Sequence, residues 1–399
     1  MTRDNSLNKT ILYVALSQKH ISIFHQHHLR WLRNNGYSVE IASRLTPGFV
    51  IKEQDKYHEV AFTRLPFTRQ NIIALYSFVK LLRSKEYTFV HCHTPVASVL
   101  TRLASLFAKG RPVVLYTSHG FHFFPGAPLS NWLLWFPIEW LFTRLTDFVI
   151  TINRWDEKAA KRWLRAKRVR LIPGIGIDSG RFHSRSLIDY SAQRIKLDIP
   201  QETFVLLYIA EFIPRKNHAF LIKAMQKLHV QIPGSILLLA GDGQLLDSTK
   251  ADCANRGLSS MVKFLGFRHD ISELSLAADL SVSASRQEGL GLGLAELMYI
   301  GVPVVASEDR GHRELVKHGV TGFLYPQDDE DEFVKYVVKL YEDPELRKKM
   351  GLAALEHAQS FSLDKSVASM ANIYQEAEQL VESRKLFREC FAKYSVKRR

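Results

Sequence analysis

The stretch Leu280-Ser-Val-Ser-Ala-Ser-Arg-Gln-Glu-Gly-Leu-Gly-Leu-Gly-Leu-Ala-Glu-Leu-Met-Tyr-Ile300 holds, in order, a short apolar strand, a polar glycine-rich loop and a helix. Leu280–Ser283 is short and apolar enough for a strand buried on both faces, and Leu294–Ile300 reads as the helix that follows. Within it Glu288 and Glu296 stand with seven residues between them, around Gly289, Gly291 and Gly293. Glycines let a backbone approach a ligand closely. The start of a helix offers unpaired N–H groups and a positive dipole end, which suits a diphosphate. Carboxylates on either side accept hydrogen bonds from sugar hydroxyls. A bare G-x-G is weak evidence, and the alternative is a loop-to-helix join with an incidental glutamate.

The same rhythm runs outward in both directions. Downstream, Val302–Ala306 and Gly322–Tyr325 read as strands; upstream, Phe204–Ile209, Ser235–Ala240 and Val262–Leu265 do, with a helix at Ala219–Leu228. The turn-rich Pro173-Gly-Ile-Gly-Ile-Asp178 marks a linker. Before it, Ile11–Leu16, Val39–Ala42, Phe89–His91, Val113–Thr117 and Phe148–Ile152 form an earlier series, with a helix at His25–Asn35 closed by Gly36. The pattern predicts an α/β protein of two doubly wound, Rossmann-like domains, 1–175 and 176–363, facing across a cleft. A helical segment, 364–399, follows and is expected to pack back on the first domain. A chain of 399 residues exceeds what one core sustains.

Two more loops lie at strand ends, where open α/β sheets bind ligands. Glu211-Phe-Ile-Pro-Arg-Lys-Asn-His218 follows one strand, and Arg215 and Lys216 there suit the neutralisation of a leaving diphosphate. Tyr116-Thr-Ser-His-Gly-Phe-His122 follows another and places His119 to meet a sugar. The alternatives are solvated surface charges and a structural histidine.

Composition is that of a globular protein: 46% hydrophobic and 24% charged. The apolar run near the N-terminus is too short and too flanked by charge for a secretory signal, and no stretch is long enough to span a bilayer. Cys92, Cys253 and Cys390 are three and far apart, so neither a disulfide framework nor a paired metal spacing is expected. A reducing, cytoplasmic setting follows. Residues 1–180 hold 25 Lys and Arg against 11 Asp and Glu, whereas the rest of the chain balances at 29 of each. A basic half joined to a neutral one is expected to face something anionic: a membrane surface, a phosphorylated acceptor or a nucleic acid.

Together these three loops resemble glycosyltransferase family 4, the retaining enzymes of the GT-B fold, whose hallmark is the E-x7-E motif. His91-Cys-His-Thr-Pro-Val96, Thr117-Ser-His-Gly-Phe-His-Phe-Phe124, Gly126-Ala-Pro-Leu-Ser-Asn-Trp-Leu-Leu134 and Asp309-Arg-Gly-His-Arg-Glu314 are similar to the EpsD/CapM type, which serves bacterial exopolysaccharide and capsule assembly. The resemblance implies a UDP-sugar donor, a lipid-linked saccharide acceptor and no resident cofactor. It implies that Glu288 contacts the donor sugar and Glu296 the ribose, and that backbone N–H groups at Gly289, Leu290, Gly291 and Leu292 take the diphosphate with Lys216. It gives His119 to the sugar, and Gly241, Gly243 and Arg268 to the nucleotide side. The family usually carries an arginine five residues before this lysine, where Glu211 stands here, and Arg215 is the candidate substitute. The loop Ser17-Gln-Lys-His20 also lacks the glycine-rich turn common in the wider family. No side chain is an obvious nucleophile, and a front-face displacement needs none.

No metal is expected. Asp328-Asp-Glu-Asp-Glu332 reads as an acidic helix start. His91 and His93 share a strand face but lack a second ligand pair in the sequence, so packing or hydrogen bonding is expected of them. Trp132, Trp135, Phe136 and Trp140 fall at helical spacing and read either as an interfacial helix or as a buried aromatic one. Arg162 and Arg165 belong to a basic run from Lys158 to Arg170 that suits anionic head groups on one helix face, or plain solvation. Ser17, His20 and His122 complete the acceptor-side candidates. Two rival readings are a GT-B UDP-sugar epimerase, which would act without an acceptor, and a basic nucleic-acid-binding protein, for which no recognised module is present.

Overall fold

The computed structural model describes residues 9–182 and 190–396. The N-terminal segment weighed above as a possible signal begins outside these residues. The described chain divides into two units, one of residues up to Ile175 together with Ser366 onward, the other Gly176–Lys365.

The first unit is built on a seven-stranded sheet, all parallel, in the order β3-β2-β1-β4-β5-β6-β7. Its strands are β1 (Thr10–Ser17), β2 (Ser38–Arg44), β3 (Lys56–Glu59), β4 (Phe89–His93), β5 (Val113–Ser118), β6 (Phe148–Thr151) and β7 (Val169–Leu171). β4 and β5 are buried along their whole length. Ile11 pairs with Phe89 and Val14 with Cys92, so the order reverses between β1 and β4. At that point Thr94 adopts φ 65°, rare for a β-branched residue. Its hydroxyl accepts from the Leu16 N–H at 3.0 Å, tying the end of β1 to the turn after β4.

The second unit carries a six-stranded parallel sheet in the order β10-β9-β8-β11-β12-β13. Here β8 is Phe204–Ile209, β9 Ser235–Ala240, β10 Val262–Gly266, β11 Leu280–Ser283, β12 Val304–Ser307 and β13 Gly322–Tyr325. The order reverses between β8 and β11, where Leu280 pairs with Leu206. Each unit has its own core. Leu12, Val14, Val90, Tyr116 and Phe123 lie in the first, and Leu206, Leu237, Val282, Val305 and Phe333 in the second.

β3 and β7 escape the sequence pattern. Both are short edge strands, and both carry the charge that keeps edges from pairing with other chains. β7 lies inside the basic run and corrects its reading as one helix face. The helix there, Arg154–Arg162, ends at Trp163, and Arg165 turns the chain at φ 52°. Arg170 is then a strand residue, bonded to Glu376. The helix expected at His25–Asn35 is Gln26–Asn34, and a further helix, Gln18–Phe24, precedes it; the two meet at His25, whose ring lies 2.9 Å from the Tyr13 hydroxyl. The acidic run after Pro326 starts the helix Glu330–Glu342, capped by Asp329. The last helix, Leu363–Val396, packs on the first sheet. The Tyr374 hydroxyl meets His91 Nδ1 at 2.7 Å, and Arg384 pairs with Asp147.

Candidate active site

The donor candidates of the second unit gather at the carboxyl ends of β8 and β11, where the strand order reverses. That reversal opens a crevice, because the two connections leave towards opposite faces of the sheet. After β8 the chain runs through a short turn, Pro214–Lys216, into the helix His218–Gln231. The Tyr208 hydroxyl donates to the Lys216 carbonyl at 2.9 Å and lies 2.8 Å from the Ser285 hydroxyl, so the two loops share one buried clasp. The Arg286 N–H adds a backbone link to the Arg215 carbonyl at 2.8 Å.

The clasp sets Lys216 against Glu288. The Lys216 ammonium bonds Glu288 Oε1 directly, and Arg215 stands 3.5 Å from Oε2. Glu288 is 7% exposed. Burial alone would raise its carboxyl, but Lys216 above all, with Arg215 and His312, outweighs it and holds the group down at about 2. It is therefore ionised at neutral pH, a permanent acceptor.

Four residues later the helix Leu292–Tyr299 begins, with Gly291 at its N-cap in the left-handed region, φ 98°. Gly293 packs closely: a Cβ there would stand 3.0 Å from the Ile209 carbonyl oxygen at the end of β8, tighter than side chains ordinarily sit. The helix start is thereby drawn close to the β8 loop that carries Lys216. Its first N–H groups have no partner within the helix and supply a second source of positive potential. Glu296, in this helix, is hemmed in although the residue keeps some exposure. Burial pushes its carboxyl up to about 7, against a smaller opposing pull from Arg181.

Gly241 and Gly243 follow β9 at its carboxyl end, beside β8. A Cβ on Gly241 would stand 1.9 Å from the Ala210 carbonyl oxygen, and one on Gly243 2.7 Å from that of Phe212. Their lack of side chain lets two strand-end loops pack. Arg268 is committed to Asp270, with Nε 2.7 Å from Oδ1. Glu211 is exposed. The cations on Glu288 come from Lys216 and Arg215 instead.

One supporting loop was not among the expected site residues. Asp309 Oδ2 accepts from the Glu288 N–H at 3.1 Å, and its Oδ1 accepts from the Gly311 N–H at 2.8 Å. His312 Nδ1 meets the Ser307 carbonyl at 2.7 Å, while its Nε2 is buried without a partner. The signal lay in Asp309-Arg-Gly-His-Arg-Glu314, used above only for resemblance.

In the first unit, His119 follows β5 and does not stand alone. Its Nε2 is 3.2 Å from His93 Nδ1, and its ring lies 5.1 Å from that of His20 and 5.5 Å from that of His25. Ser17 caps the first helix by accepting from the His20 N–H at 3.4 Å. His91 and His93 make the hydrogen bonds expected of them, His91 to Tyr374 and Thr117 and His93 to His119, while His20, His25 and His119 gather around His93 from the β1 and β5 ends. The sequence separates them by up to about a hundred positions, and only the strand order brings them together.

His122 packs on Trp135, with ring centroids 4.8 Å apart, and the Trp132 indole N–H donates to the Phe124 carbonyl at 3.2 Å. Trp132, Trp135 and Phe136 rest against the core. The helix Leu129–Phe142 is inside out: its one fully buried residue is Glu139, which pairs with the wholly buried Arg102 at 3.0 Å. Its outward residues are Leu129, Leu133, Leu134, Trp140 and Leu141. Arg162 and Arg165 are exposed.

A two-sheet α/β chain with these loops at the reversal of its second sheet is a glycosyltransferase of the GT-B type. The sequence comparisons agree: the model of glycosyl transferases group 1 matches residues 189–357, and that of glycosyltransferase family 4 matches residues 24–180. The chain is 37% identical to the putative glycosyltransferase EpsD of Bacillus subtilis over 92% of this chain and 97% of the relative. It therefore belongs to glycosyltransferase family 4. It is also 27% identical to an Escherichia coli UDP-Gal:alpha-D-GlcNAc-diphosphoundecaprenol alpha-1,3-galactosyltransferase, over 75% of this chain and 78% of that one. Among solved structures, Anabaena HepE in complex with UDP and glucose matches with a TM-score of 0.77 at 24% identity, over 92% of this chain and all of that one.

Proposed function

We propose that the protein transfers a hexose or N-acetylhexosamine, with retention at the anomeric carbon, from a UDP-sugar to a lipid-linked saccharide in exopolysaccharide or capsule assembly. The observation that carries the donor half is the cluster of Lys216, Arg215 and Glu288 beside the start of the helix Leu292–Tyr299. Two side-chain cations and a helix start offset the charge of a departing diphosphate without a metal ion. Glu288, held ionised, accepts from hydroxyls of the sugar. Glu296 accepts from the ribose. The bond from the anomeric carbon to the donor phosphate breaks as the acceptor oxygen arrives on the same face. The acceptor's proton passes to the departing phosphate oxygen, so no enzymic nucleophile is needed. The UDP choice is supported by the UDP named for HepE and the UDP-Gal named for the E. coli relative.

The acceptor half rests on the relative's diphosphoundecaprenol acceptor and on the first unit's surface. Among the described residues no helix is long and apolar enough to cross a membrane. Leu129, Leu133, Leu134 and Leu141 of the helix Leu129–Phe142 are exposed and give it an apolar face, and Ile72, Ile73 and Tyr76 are exposed on the helix Arg69–Ser84. Exposed Arg64, Arg69, Lys80 and Arg144 stand close to it in sequence. Such a face suits the inner leaflet of a cytoplasmic membrane. The lipid contact is thus given to the leucines and Trp140 of this helix, while Trp132 and Trp135 pack inward. Transfer of labelled sugar from a UDP-sugar panel to polyprenyl-diphosphate saccharides, run with chelator present, tests the whole. Product with one donor is expected. Interconversion of the UDP-sugar without acceptor would identify an epimerase instead.

A further inference from the structure

The densest cluster of nitrogen ligands lies outside the donor loops, at the carboxyl ends of β1, β4 and β5 in the first unit. His20, His25 and His119 each offer a ring nitrogen, and these lie within 4.8 Å of one another. His20 Nε2 and His25 Nε2 are 3.3 Å apart. A tetrahedral ion bound at about 2.0–2.1 Å holds two nitrogens about 3.3 Å apart. We propose that this unit binds one first-row divalent ion, Zn2+ by the chemistry of its ligands, between His20, His25 and His119.

Three further observations support the site. His25 presents its other nitrogen, Nδ1, to the Tyr13 hydroxyl at 2.9 Å, within the core. An oxygen accepting that Nδ1–H fixes the ring and leaves the Nε2 lone pair facing His20, as metal-bound imidazoles require. His93 Nε2 is buried with no partner, and the His93 ring lies 4.4 Å from that of His25. A small cavity lined by Tyr13, His25, His93 and His119 adjoins these nitrogens.

His20 and His119 keep partial exposure, which leaves a way in for the ion and room for a fourth ligand. Three histidines with one open position favour imidazole-loving zinc over magnesium or calcium, which prefer oxygen. The reaction proposed above is not routed through the ion.

The test uses the full chain, dialysed against a chelator and titrated with ZnCl2 by calorimetry, then with CoCl2 by visible absorption. One equivalent of zinc and the absorption of tetrahedral cobalt are expected. Losing a supporting partner of a metal ligand costs roughly 10–100-fold in affinity, so losing a ligand should cost at least about 100-fold. His20→Ala and His25→Gln are expected to show that loss, and His229→Ala, on the other unit's surface, none. His20→Ala carries the decision because His20 is not buried; its folding is verified by circular dichroism. No zinc bound by the wild type, or undiminished binding by His20→Ala, overturns the proposal. No donor is present, so the outcome is separate from that of the transfer assay.

Discussion

The carboxyl of Glu296 gives the proposal a pH signature. In the free protein burial pushes it up to about 7. Its ordinary value is 4.5. If ribose hydroxyls donate to it, the charged form is favoured in the complex and the group returns towards that value. Affinity for donor then rises with pH. At pH 8 about ten in eleven free molecules already carry the carboxylate; at pH 6 about one in eleven do. The dissociation constant should therefore rise about tenfold from pH 8 to pH 6, roughly 1.4 kcal/mol. A UDP-sugar is the right titrant because its phosphates carry no late-titrating proton, unlike those of UDP. Calorimetry at four pH values reads the slope directly, and Glu296→Gln should bind more weakly at pH 8 and lose the slope. The sign for folding runs the other way. A carboxyl raised in the folded state contributes stability that is complete below about 4.5 and lost as pH rises through about 7. The free wild type should thus lose stability relative to Glu296→Gln between pH 5 and 8. A slope that persists in Glu296→Gln, or a flat wild type, refutes the assignment.

Other outcomes follow from the same geometry. Lys216→Ala leaves Glu288 buried with its main partner gone, so unfolding free energy should fall by about 3–5 kcal/mol in chemical denaturation at pH 7. Because Glu288 is depressed to about 2, that stabilisation is present above about pH 4.5 and should vanish as pH falls towards 2. Glu288→Ala should keep UDP affinity but lower turnover by about 100-fold or more, since it meets only the sugar. Arg102→Met strands Glu139 in the core and should cost about 3–5 kcal/mol, whereas Arg102→Met with Glu139→Leu should recover most of it. Leu129→Glu with Leu133→Glu should abolish cosedimentation with anionic vesicles and spare transfer to a water-soluble acceptor. Undiminished cosedimentation would remove the apolar face from the account.

Much of the second unit is readable directly. Phe204–Ile209, Ser235–Ala240, Leu280–Ser283 and Gly322–Tyr325 are strands at the bounds their apolar runs imply, because buried parallel strands announce themselves by continuous apolar residues. The pairing of Lys216 with Glu288 is legible only as far as the two loops, since their contact depends on β8 and β11 being neighbours. Periodicity does not encode that adjacency. Three further features stay hidden for physical reasons. The edge strands are too polar to show, the histidines meet through long-range topology, and Leu129–Phe142 disguises a buried ion pair within an apolar helix. From sequence that helix reads either as interfacial or as buried and aromatic; Trp132 and Trp135 pack inward, whereas Trp140 and the leucines are exposed.

The central claim is a nucleotide-sugar site built on Lys216, Glu288 and the start of the helix Leu292–Tyr299. Its most direct test is the melting temperature of the wild type and of Lys216→Ala with UDP, GDP, ADP, CMP and a panel of UDP-sugars. A ligand at a hundred times its dissociation constant adds about 2.7 kcal/mol, which moves the melting point visibly. The account predicts a shift confined to UDP and one or two UDP-sugars, and strongly reduced in Lys216→Ala. No shift with any nucleotide in folded wild-type protein, or an equal shift in the variant, would contradict it.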